Sequence, residues 1–139
     1  MKHQMTTQEI VKNSSETKKL GEDWKKVYLF LHKCVESNKY RIMRSGNTLF
    51  LYRIDQPKVA QMFVINADSY KNLCRNMQKF ITAMKTANFK NVYGITEDIN
   101  MLNVIKKVGF SVDIEPAGKD KNGKQLYFGS VNFEGTPNV

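Results

Sequence analysis

Apolar residues recur along this chain at two periods, one that suits a helix and one that suits a strand. In "GEDWKKVYLFLHKCVESN" the residues Trp24, Val27, Tyr28, Leu31, Cys34 and Val35 fall at i, i+3, i+4 spacing, with Glu22 and Asp23 placed to suit the positive end of a helix dipole. A helix follows. In the next stretch, "YRIMRSGNTLFLYRID", Ser-Gly-Asn interrupts two runs of β-branched, aromatic and large apolar residues, which predicts a hairpin turning at Gly46 and Asn47. Beyond "DQPK", the run "VAQMFVIN" is almost continuously apolar, as expected of a strand buried on both faces near the centre of a sheet.

The strongest helical pattern spans about residues 67–87, where Leu73, Met77, Phe80, Met84 and Ala87 form one stripe and Lys71, Arg75, Lys79 and Lys85 lie off it. Methionines sharing a stripe with Leu and Phe read as core filler. "NVYGI" then reads as a short strand. Thr96 is an N-cap candidate for a helix over "EDINMLNVIKKV", which Gly109 ends and which buries Met101, Leu102, Ile105 and Val108. Finally, "FSVDIEPAGKDKNGKQLYFGSVNF" predicts two strands flanking a long basic loop, with Asn122-Gly123 as its turn. The strand–helix–strand crossover between "AQMFVIN" and "NVYGI" makes those strands parallel neighbours. The fold class is α+β, a mixed sheet flanked by three to four helices. Residues 1–20 form a polar N-terminal arm or short helix, expected to be mobile in the isolated protein for want of apolar content. Residues 21–133 form one domain, and 134–139 a tail.

Net charge changes this picture most: 22 Lys+Arg against 13 Asp+Glu give +9, which favours an anionic partner, DNA among them. Lys119, Lys121 and Lys124 in the basic loop are the candidate contacts for nucleic acid or an acidic surface, although lysines dispersed along the chain also suit a solvated exterior. Cys34 and Cys74 fall on the apolar sides of helices, where free Cys packs as a small hydrophobe. His3 and His32 have no companion at ligand spacing, so no metal site is expected. No apolar run is long enough to span a bilayer and no secretory signal opens the chain, so an intracellular protein is expected.

The element order, together with "NVYGITEDINMLNVIKKVGF", resembles the GNAT acetyltransferase superfamily over roughly residues 21–133. The resemblance implies a central parallel pair that splays apart to admit acetyl-CoA, with Asp98 at a helix start eleven positions before Gly109. It also implies three further features, each of which departs here. The loop after the central strand should be a glycine-containing turn whose N–H groups cradle the pyrophosphate. In this chain it is "NADSYKN", without glycine and with Asp68 expected to repel phosphate. A tyrosine four residues before Gly109 should protonate the departing thiolate. That position is Ile105, and Tyr93 lies on the preceding strand. A carboxylate base is expected on the central strands, and "VAQMFVIN" has none, while Glu97 and Asp98 suit a helix start.

A narrower resemblance is to the small GNAT-like internal virion or assembly proteins of short-tailed bacteriophages, carried by "QMFVINADSY", "IKKVGF" and "GKQLYFGSVNF". It implies a structural role beside other virion proteins and packaged DNA, in the host cytoplasm or within the particle. Three functions are therefore weighed. The first is a non-catalytic GNAT-fold binding or virion component, with no catalytic residue and no cofactor. The second is an acetyl-CoA-dependent N-acetyltransferase with an atypical loop, its cofactor held by Phe63, Val64, Ile65, Ser69 and Lys71. The third is a basic nucleic-acid-binding module.

Overall fold

The computed structural model of the protein describes residues 4–14 and 24–133. Its elements are α1 (Thr7–Asn13), α2 (Trp24–Glu36), β1 (Arg41–Ser45), β2 (Thr48–Gln56), β3 (Val59–Asn66), α3 (Tyr70–Thr86), β4 (Asn91–Thr96), α4 (Ile99–Lys107), β5 (Asp113–Lys119) and β6 (Gln125–Asn132). The six strands form one sheet in the order β1-β2-β3-β4-β6-β5. Among the described strands β3 and β4 pair in parallel and the other neighbours are antiparallel. α3 is their crossover, as the strand–helix–strand pattern requires.

Alternation along the strands divides the sheet into two faces. On one, Phe50, Ala60, Met62, Val92 and Val131 pack beneath α3 and α4, which supply Leu73, Met77, Phe80, Ile81, Met84, Leu102, Val104 and Ile105. Phe80 stacks on Phe50 with ring centroids 4.4 Å apart. α4 lies so close to β6 that a Cβ on Gly129 would come within 2.5 Å of Leu102 Cδ2, which accounts for a glycine in mid-strand. On the opposite face Leu49, Leu51 and Ile65 pack against Ile10 and Val11 of α1 and Leu31 of α2.

Several expectations need correction. Residues 7–13 take the short-helix alternative: the Thr6/Glu9 capping box defines the start of α1, and Ile10 and Val11 are fully buried, more core than the low apolar content of this stretch suggests. Asn47 Oδ1 accepts from the Met5 N–H at 3.1 Å, and the Arg44 guanidinium donates to the Met5 carbonyl, so the hairpin holds this segment from the other side. The rest of the expected arm, residues 1–3 and 15–20, lies outside the described residues. Val35 faces outward, because the α2 stripe that meets the core runs through Leu31 and Cys34.

β3 holds a central place, yet Phe63 is 39% exposed, because α1 and α2 cover only the β2 end of their face. The long helix starts at Tyr70 rather than near 67, since Ser69 caps it. Asp98, not Thr96, caps α4; Thr96 ends β4 and its Oγ1 accepts from the Asp98 N–H at 3.0 Å. The long basic loop contracts to residues 120–124. There Asp120 Oδ1 accepts from the N–H groups of Asn122 and Lys124, drawing Lys119 into β5.

Candidate functional site

β3 and β4 begin as hydrogen-bonded neighbours and then part. Their register runs Val59↔Asn91, Ala60↔Val92, Gln61↔Tyr93 and ends there, while β3 continues to Asn66 and β4 to Thr96. Past Gln61 and Tyr93 the two facing edges part into a wedge, and among the described residues no ladder pairing joins residues 62–65 of β3 to 94–96 of β4. The wedge opens at the C-terminal ends of the parallel strands, where the N-termini of α3 and α4 also lie. Open α/β sheets bind ligands in this position.

The β3–α3 loop has no glycine, and side-chain bonds hold its shape instead. Asp68 Oδ2 accepts from the Asn47 N–H at 2.7 Å and from Asn76 Nδ2 at 2.8 Å. Asn76 Nδ2 also donates to Thr48 Oγ1 at 2.9 Å, Thr48 Oγ1 donates to Asn66 Oδ1 at 2.8 Å, and Ser45 Oγ donates to Asn76 Oδ1 at 3.0 Å. Thr48 and Asn76 are buried, so these bonds satisfy polar groups that water cannot reach. Gly46 is required at the turn: it sits at φ +56°, and a Cβ there would lie 2.8 Å from Asp68 Oδ2. The network draws the Asp68 carboxylate toward the β1–β2 turn, across β3 from the wedge. The expected repulsion of phosphate by Asp68 is weakened accordingly. Ser69 caps α3 by accepting from the Asn72 N–H at 3.3 Å, and among the described residues the first-turn N–H groups of Tyr70 and Lys71 have no acceptor.

On the face that α1 and α2 leave uncovered, side chains from three strands converge where the wedge begins. The Tyr93 hydroxyl donates to Asp55 Oδ2, reaching from β4 over β3 to the end of β2. Arg53 Nε donates to Asp55 Oδ1 at 2.6 Å, and an Arg53 terminal nitrogen donates to Gln61 Oε1 at 2.8 Å. The Arg53 guanidinium also stands over the Tyr40 ring, 5.7 Å from its centroid. Tyr93 in turn stacks on Phe128 at 5.5 Å. Phe63 and Ile95 extend this floor as exposed apolar groups.

The titratable members perturb one another. The Tyr93 phenol is raised above its ordinary value, first by its hydrogen bond to Asp55 and then by partial burial and the carboxylate charge. Asp55 is held below the usual carboxylate range, first by the Tyr93 bond and then by Arg53. Arg53 is raised, chiefly by its bond to Asp55.

Of the residues singled out from sequence, Phe63 borders the wedge on the open face, Val64 packs toward α3, and Ile65 is buried beneath α1 and α2. Ser69 and Lys71 stand at the start of α3, with Lys71 exposed. Ile105 is 1% exposed, deep in the core and remote from any proton-transfer role. Lys119 and Lys121 are exposed, and Lys124 lies 3.8 Å from Glu97, which offsets part of the charge of the basic turn. Sequence reasoning missed the pairing of Asp55 with Tyr93, since only the β2–β3–β4 order brings a residue of β2 to one of β4. Among the described residues no group of three His, Cys, Asp or Glu could hold a metal ion, and no helix is long and apolar enough to cross a membrane.

No protein-family model matches the chain, and no curated protein sequence matches it. Solved structures do. A spermidine N-acetyltransferase from Vibrio cholerae superposes with a TM-score of 0.57 at 13% identity, over 80% of this chain and 76% of that one. A ribosomal-protein-alanine N-acetyltransferase from Brucella melitensis gives 0.54 at 12%, over 80% and 79%. An acetyltransferase from Bacillus subtilis in complex with CoA gives 0.52 at 12%, over 75% and 82%. Identity this low speaks for architecture alone. The mixed sheet, the parting parallel pair and these neighbours together establish that the chain has the fold of the GNAT acetyltransferases.

Proposed function

We propose that the chain binds acetyl-CoA in the wedge between β3 and β4 and transfers the acetyl group to an amine. The observation that carries this reading is the end of the β3–β4 ladder at Gln61 and Tyr93, past which residues 62–65 and 94–96 no longer pair with each other on the way to the N-terminus of α3. The residues present fit the group. The β3 backbone around Phe63–Ile65 can bond the amide-bearing arm of the cofactor as an added strand would. The N–H groups of Tyr70 and Lys71 and the Lys71 ammonium suit its pyrophosphate, with Asp68 turned aside. When bound, acetyl-CoA supplies an acetyl group activated as a thioester. The protein orients it along β3 and leaves the face bearing Tyr93, Phe63 and Ile95 open to the acceptor. Neighbours named for spermidine and for a protein's alanine, both amines, agree with that class of acceptor.

A calorimetric titration tests this, with ATP as control for simple attraction to a protein of net charge +9. Saturable acetyl-CoA binding at about 100 μM or tighter, roughly 5.5 kcal/mol, is expected, with ATP weaker by tenfold or more. Equal affinity for both would overturn it.

One observation favours a second reading, in which the wedge binds a ligand without turnover: Ile105 lies in the core where the family's acid would stand. That protein would bind acetyl-CoA, or another extended ligand, and release no thiol. The narrower virion assignment has no feature of the fold behind it.

A further inference from the structure

We infer that Tyr93, held by Asp55, is the proton-handling residue of the transfer, taking the role that Ile105 leaves empty. The inference rests on acetyl-CoA occupying the wedge. Three observations converge on it. Tyr93 occupies the last paired position of β3 and β4, so it marks the apex of the wedge. Its side chain lies on the uncovered face, the side from which an acceptor has access, whereas Ile105 is sealed beneath α4 on the other. Among the residues of β2, β3 and β4 that share this face, Arg53, Asp55 and Tyr93 are the titratable ones, and they form one hydrogen-bonded chain.

The roles follow from their bonding. Tyr93 gives its proton to the sulfur as the carbon–sulfur bond breaks, and the electron pair of that bond stays on sulfur. It takes a proton back from the amine nitrogen as the new carbon–nitrogen bond forms, so the protein ends with the protons it began with. Asp55 is a positioning residue: it fixes the phenol, and Arg53 fixes Asp55. The same contacts keep the phenol protonated at neutral pH, since the Asp55 bond and charge raise Tyr93 while the Arg53 charge opposes them only in part. Arg53 in turn donates to Gln61 and Tyr40, while Ser130, opposite Tyr93 on β6, accepts from Asn91 Nδ2 at 2.8 Å.

Tyr93→Phe and Asp55→Asn test the assignment, and both alter exposed or half-buried groups outside the core. Three quantities are read: acetyl-CoA affinity by calorimetry, the phenol titration of the free protein by ultraviolet absorbance, and thiol release with spermidine or an alanine-initiated peptide as acceptor. Tyr93→Phe is expected to leave affinity within about twofold and to lower thiol release about 10²-fold, the lower range for a lost acid–base group. Asp55→Asn is expected to move both the Tyr93 titration and the alkaline limb of the rate profile to lower pH, because the carboxylate that raises the phenol is gone. A purely structural tyrosine would not move that limb.

Thiol release by Tyr93→Phe at the wild-type rate would overturn the inference, as would a phenol titration that moves without the limb. Acetyl-CoA binding without thiol release from either amine would also overturn it while leaving the cofactor site standing. Absence of acetyl-CoA binding in the wild type would remove the reading beneath both.

Discussion

The two faces of the sheet obey different rules. Under α3 and α4 every strand contributes apolar side chains to a continuous core, and the helices lie flush enough to demand Gly129. On the opposite face α1 and α2 cover Leu49, Leu51 and Ile65, leaving Phe63, Tyr93, Ile95 and Phe128 in view of solvent beside the parallel pair β3–β4. One face holds the fold together. The other carries the hydrogen-bonded tyrosine, aspartate and arginine among exposed and half-buried side chains.

The largest expected contrast comes from Phe80→Ala on the covered face. Removing a fully buried ring stacked on Phe50 should cost about 3–5 kcal/mol in urea unfolding. A cost below about 1 kcal/mol would mean that the core repacks freely.

Next is the staple between the β1–β2 turn and the β3–α3 loop. Gly46→Ala and Asp68→Ala should each destabilise by about 1–3 kcal/mol, one through left-handed strain and a clash at 2.8 Å, the other by leaving the Asn47 N–H and the Asn76 amide short of an acceptor. The two share Asp68 Oδ2, so the double variant should cost less than the sum.

Phe63→Ser, on the open face, should change stability by less than about 1 kcal/mol yet weaken acetyl-CoA binding measurably, the reverse of the Phe80 result. The smallest difference concerns charge. Lys71→Glu should weaken acetyl-CoA binding, and the gap from wild type should narrow as salt rises, whereas Lys121→Glu in the β5–β6 turn should do neither.

The covered face was the legible one. Leu73, Met77, Phe80 and Met84 announce their helix because a helix with one buried side must repeat its apolar residues at its own period. The hairpin at Gly46 and the parallel pair were readable for similar reasons, one from turn chemistry and the other from crossover topology. Where the face is open, periodicity misleads. "VAQMFVIN" reads as buried on both sides, but Phe63 is 39% exposed, because α1 and α2 pack on Leu49, Leu51 and Ile65 instead.

At α1 the short-range signals were ambiguous between an arm and a short helix; the capping box, the burial of Ile10 and Val11 and the contacts to Asn47 and Arg44 of the hairpin show the helix. The missing loop glycine was legible, but its consequence was not. Asp68 looked like a repulsive charge in the phosphate position until Asn47 and Asn76 were seen to hold it on the far side of β3. The Tyr93–Asp55 pair was invisible for a plainer reason: 38 residues separate the partners, and only the strand order joins them.

The central claim is that the parting of β3 and β4 is a binding site for acetyl-CoA. Amide hydrogen exchange with and without acetyl-CoA addresses it most directly, because it reports where the ligand sits as well as whether it binds. Protection confined to residues 62–66 and to the first turn of α3, with the β5–β6 turn unchanged, is the predicted result. Protection spread over the basic surface, or found only at the β5–β6 turn, would show that charge and not the wedge attracts the ligand, and would contradict the account.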